Sequence, residues 1–61
     1  MGIQIPALYI HAKNKSTYST VLLGKMQFDG KWYPSVTYID TITDAVYTRT
    51  QESFKNSFML K

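Results

Sequence analysis

The chain has one histidine, His11, and no cysteine among its 61 residues. Nucleophilic catalysis would therefore have to join His11 to a Ser or Thr hydroxyl and an orienting Asp. Hydroxyls are plentiful, but no spacing singles one out as a nucleophile. Asp40 and Asp44 share the segment "DTITD", and paired carboxylates can divide acid and base roles. Turn formation accounts for both of them equally well. Gly2, Gly24 and Gly30 are isolated, so no glycine-rich phosphate loop is present. A metal would need His11 plus carboxylates, and no ligand spacing recommends one. The inventory argues against an enzyme, and no catalytic residue, metal or cofactor is expected.

Binding chemistry is better supplied. In "DGKWYPSV" (29–36) a turn is followed at once by Lys31, Trp32, Tyr33 and Pro34, and Trp and Tyr are the residues most enriched at binding hot spots. Adjacent strand residues point to opposite faces, so one ring is expected to enter the core and its neighbour to face out. With a continuous register Trp32 shares a face with Val21, Leu23, Val36 and Tyr38 and is expected inward, leaving Tyr33 outward beside Lys31. Tyr47 and Arg49, two apart on one strand, would form with Lys31 or Lys25 a basic–aromatic platform for a nucleotide or single strand. Against that, Arg49 would lie across Tyr47 and pair with Asp40, Asp44 or Glu52. His11 is expected as a strand residue at the barrel's edge, bonded to backbone.

The elements that must position these side chains follow from local pattern. "PALYIH" (6–11) alternates Leu8 and Ile10 against Tyr9 and His11, as a half-buried strand does. "KNKS" (13–16) is a turn, with Asn14 suited to a left-handed backbone. "TYSTVLLGKMQF" (17–28) is a second strand, rich in β-branched and aromatic residues. Asp29-Gly30 then predicts a two-residue hairpin. Pairing outward from it sets Phe28 opposite Lys31, Gln27 opposite Trp32, Met26 opposite Tyr33, Lys25 opposite Pro34, Leu23 opposite Val36 and Val21 opposite Tyr38. A bend or bulge is expected at Gly24 and Pro34. "SVTYI" continues the third strand, "DTITD" turns, and "AVYTRT" (45–50) is a fourth. In "TQESFKNSF" the period changes: Phe54 and Phe58 share a helical face, Thr50 is the N-cap and Glu52 sits in the first turn. "MLK" can return as a last short strand. The expected fold is mainly β, a small bent antiparallel sheet or SH3-like barrel of four to five strands with a short C-terminal helix, in one domain spanning 1–61.

Bulk properties bound the function further. A chain this short buries only about 60% of the surface its unfolded form exposes. It lacks disulfides, yet 44% of its residues are hydrophobic and nine are aromatic (one Trp, five Tyr, three Phe). Self-association into a homo-oligomer is the expected compensation. The net charge of +3 suits nucleic acid or an acidic protein surface equally. The N-terminal run lacks the basic start of a signal peptide and is too short to cross a bilayer. A cytoplasmic location without membrane contact is expected.

The segments "YIHAKNKSTYSTV" (9–21), "VTYID" (36–40) and "VYTRTQESFKNSF" (46–58) together resemble a group of short bacterial and phage proteins of unknown function. The shared positions are Tyr9, His11, Lys13, Tyr18, Val36, Tyr38, Tyr47, Arg49, Phe54 and Phe58. "GKMQFDGKWYP" in the middle departs from that pattern. The resemblance implies a compact β-barrel-like fold, often in a phage or prophage setting, where the protein would work in the host cytoplasm. It implies no activity. The leading expectation is a non-enzymatic binding module, a phage-type accessory or inhibitor protein that docks on a host or viral protein or sequesters a small ligand. The alternative is a nucleic-acid-binding small barrel. The candidate binding residues are Trp32, Tyr33, Lys31, Tyr47, Arg49 and His11.

Overall fold

The computed structural model describes residues 2–61; Met1, the first residue of the expected domain, lies outside them. The elements are β1 (Leu8–His11), β2 (Thr17–Phe28), β3 (Lys31–Asp40), β4 (Val46–Thr50), α1 (Gln51–Ser57) and β5 (Phe58–Leu60). They form one sheet in the order β4-β3-β2-β1-β5, with every neighbouring pair antiparallel. β4 and β5 end on opposite edges and do not meet. The sheet is therefore open, and of the two expected architectures the bent sheet forms rather than the closed barrel.

The hairpin at Asp29-Gly30 sets the register. Both residues take positive φ, 53° and 78°, the twist that suits a two-residue connection. Pairing runs as expected from Phe28↔Lys31 through Leu23↔Val36. It slips between Thr20 and Leu22, so Tyr38 faces Thr20 and not Val21. The bulge thus lies at Val21, not at Gly24 or Pro34. In an antiparallel ladder, alternate residues turn their backbone groups to a given neighbour. Counting from the closing pair Phe28–Lys31, Pro34 turns its nitrogen away from β2, toward an edge that β4 has already left at the pair Ser35↔Thr50. No ladder bond is lost there, so proline needs no bulge. The slip at Val21 instead puts Thr20 inward (1% exposed) and Leu22 outward (51% exposed).

One face of the sheet carries the core: Tyr9, Tyr18, Val36 and Tyr38, closed by Phe54, Phe58 and Ile3. Thr50 caps α1 through its side chain, which accepts from the Ser53 N–H at 3.1 Å, and Glu52 stands in the first turn. Phe58 leaves the helix with extended backbone and begins β5 opposite His11. The N-terminal segment is tied to the sheet by Thr20. Its Oγ1 donates to the Gln4 carbonyl at 2.7 Å and accepts from the Ala7 N–H at 3.0 Å. At the first turn the left-handed residue is Lys15 (φ 64°), not Asn14; the Asn14 side chain accepts from the Ser16 N–H instead. Asp40 caps the second turn by accepting from Ile42 and Thr43, and Asp44 takes positive φ.

Candidate functional site

The six candidate residues fall into two groups that do not meet. The first stands on a ribbon. β1 last pairs with β2 at Ser19, and β4 last pairs with β3 at Ser35. Beyond those points β2 and β3 continue alone to the Asp29-Gly30 turn, carrying Lys31, Trp32 and Tyr33. A two-stranded ribbon has no third layer to bury its side chains, and Phe28 (68%) and Trp32 (64%) are the most exposed of its rings.

Trp32 therefore does not lean inward. It shares the face of Val36 and Tyr38, as the register requires, but Phe54 and Phe58 cover only the sheet proper, and the ribbon outruns them. Tyr33 is the more covered of the pair. With Met26, Phe28 and Pro34 it lines a cleft of about 670 Å³, whose other wall is Thr50, Gln51, Glu52 and Lys55 at the start of α1. Gln51 closes its base by donating from Nε2 to the Ser35 carbonyl at 3.2 Å. Met26, Pro34 and Gln51 escaped sequence reasoning. The available signal was the strand-to-helix change at Thr50, which leaves the start of β3 with β2 as its one strand neighbour.

The second group lies on the core face near the other end. His11, Tyr47 and Arg49 join Asn14, Tyr18, Tyr38 and Phe58 around a hollow of about 240 Å³. Arg49 Nε donates to the Tyr38 hydroxyl at 2.8 Å and Nη1 to Ser53 Oγ at 3.3 Å. Its guanidinium carbon stands 5.1 Å from the Phe58 ring centre and 5.9 Å from that of Tyr38. Its partners are thus rings and hydroxyls, and none is the expected carboxylate of Asp40, Asp44 or Glu52. Tyr47 stacks on Tyr38 at 5.7 Å. His11 is not at the edge, because β1 lies between β2 and β5; its Nδ1 accepts from the backbone N–H of Lys13 at 3.1 Å and of Asn14 at 3.4 Å, and its ring meets Phe58 edge-on. Lys31 takes no part. Arg49 lies opposite Val36, five residues along β3 from Lys31, roughly 16 Å at strand rise. Lys25 does not line the hollow either, so the expected platform of Lys31 or Lys25 with Tyr47 and Arg49 does not form.

The face of the sheet away from α1 is a third feature. The register places Leu8, Ile10, Leu22, Ile39, Val46 and Met59 there, interspersed with Thr17, Ser19, Thr37 and Thr48. Within the strands these positions include no charged residue; Lys61, whose N–H donates to the Leu8 carbonyl at 2.9 Å, adds a cation at the margin beyond β5. Solvated sheet faces alternate polar residues outward, so this one is unusually apolar.

Among the described residues no three His, Asp or Glu side chains gather as a metal-binding group, and no helix is long and apolar enough to cross a membrane. No protein family, curated protein or solved structure matches the chain.

Proposed function

We propose that the protein is a non-enzymatic binding module that grips a protein partner with the β2–β3 ribbon. The observation that carries this reading is the exposure of Phe28 and Trp32 on a ribbon that projects beyond the core, beside the cleft holding Tyr33 and Met26. Large aromatic anchors next to an apolar recess, with Glu52 and Lys55 at its rim, have the make-up of a protein-binding hot spot. The ribbon edges argue for docking by face and not by strand addition. Lys25 lies in β2 and Pro34 in β3, and a lysine or proline blunts an open edge. On the resemblance to short phage proteins, the partner is a host or viral protein.

The apolar outer face, with its one lysine at the margin beyond β5, supports self-association. Two copies carrying +3 each can bring the centres of these faces together without opposing like charges.

Affinity capture from host lysate tests the reading by comparison of variants. A partner captured by the wild type and retained at high salt, but lost with W32A, is the expected result. Nucleic acid as the captured species, released steeply as salt rises, would favour the alternative of a nucleic-acid binder. Capture unaltered by W32A and F28A would overturn the role of the ribbon.

A further inference from the structure

We propose that the hollow around Arg49 is a site for a small phosphomonoester, separate from the ribbon and independent of its role. The seven residues that line it include no carboxylate, and their polar atoms are left mainly as donors. A guanidinium has five N–H groups. Arg49 spends one on Tyr38 and one on Ser53, which leaves three. Nearby rings attract its charge but do not neutralise it.

The other lining groups have the same bias. His11 Nδ1 already accepts two backbone N–H bonds, so the neutral ring carries its proton on Nε2, the edge away from the turn. The Tyr38 hydroxyl accepts from Arg49 and that of Tyr18 from Asn14 Nδ2, so each keeps its own hydrogen to donate. The amide oxygen of Asn14 is engaged by the Ser16 N–H. A cation with spare donors, ringed by hydroxyls and free of competing carboxylates, is complementary to an oxyanion. At about 240 Å³ the hollow falls below the usual drug-sized pocket and suits a phosphate group with little else inside. The Tyr47 ring, 46% exposed, stands at the rim as a surface on which a planar group attached to that phosphate can stack.

The test is a titration of the 15N-labelled protein followed by NMR, with inorganic phosphate, adenosine monophosphate and adenosine as probes. Both phosphate probes are expected to shift the signals of His11, Asn14, Tyr47 and the Arg49 side chain. Adenosine monophosphate should bind more tightly than inorganic phosphate, and adenosine more weakly than either. R49Q should weaken both phosphate probes at least about tenfold, the loss of one charge-assisted contact. Because Arg49 also packs on Phe58, Y47A at the exposed rim is a second variant: it should weaken the nucleotide and leave inorganic phosphate unchanged. Inorganic phosphate binding as tightly as the nucleotide, with nucleotide binding indifferent to Y47A, would reject the phosphomonoester. No shift at millimolar probe, or shifts confined to surface lysines and unaffected by R49Q, would overturn the site altogether.

Discussion

The rings of Phe54 and Phe58 lie stacked, their centres 4.2 Å apart and their planes within 6°. One belongs to α1 and the other begins β5, so this contact joins the last turn of the helix to the strand that leaves it. Phe54 also packs against Tyr9, and both phenylalanines touch Tyr38. Replacing either by Ala should cost about 3–5 kcal/mol, a large share of what a domain this small possesses. Urea denaturation checks this, and an unchanged midpoint for F58A would show that the pair does not close the core.

The phenylalanines, the Asp29-Gly30 turn and the Thr50 cap were legible in the sequence because each rests on local chemistry: spacing on a helix, positive φ, a hydroxyl before a helical run. The fate of Trp32 was not. Strand alternation fixes its face, but whether a face is covered depends on how far the third layer reaches, and alternation carries no such information. The position of the bulge was hidden for a related reason. Proline disturbs a ladder only when its nitrogen faces a paired neighbour, and where β4 stops is a tertiary fact. The meeting of His11 with Tyr47 and Arg49 depended on β5 and α1 together folding Phe58 beneath them.

Trp32→Ala is expected to leave stability within about 0.5 kcal/mol of wild type, as substitutions away from packed features do. Tyr33→Ala, which uncovers Met26 and Pro34, should cost more than Trp32→Ala. Thermal unfolding of the two variants side by side measures the order. The reverse order would mean that the ribbon folds back onto the core.

Thr20→Val preserves shape and removes the hydroxyl that holds Gln4 and Ala7. With the Ala7 N–H left without its partner, the cost should be about 1–3 kcal/mol. Hydrogen exchange at the Ala7 amide should accelerate more than exchange within β3. Unchanged protection at Ala7 would show that the N-terminal segment is held by its apolar contacts instead.

Self-association should be sensitive to charge on the outer face. Leu22→Lys places a cation amid Ile39, Thr37 and Leu8, and two such copies would oppose like charges. Sedimentation velocity should show a concentration-dependent dimer for the wild type and a monomer for L22K, with circular dichroism unchanged. A wild-type protein that stays monomeric across the micromolar range would contradict the assignment of this face.

The claim that the ribbon holds a foreign protein is tested most directly by photo-crosslinking in host cells. A photoreactive residue is introduced as Trp32→p-benzoylphenylalanine, with Val46→p-benzoylphenylalanine on the outer face for comparison. The expected result is a single heterologous adduct from position 32 and a self-adduct from position 46. Only self-adducts from position 32, or none in cells where position 46 reacts, would contradict the account.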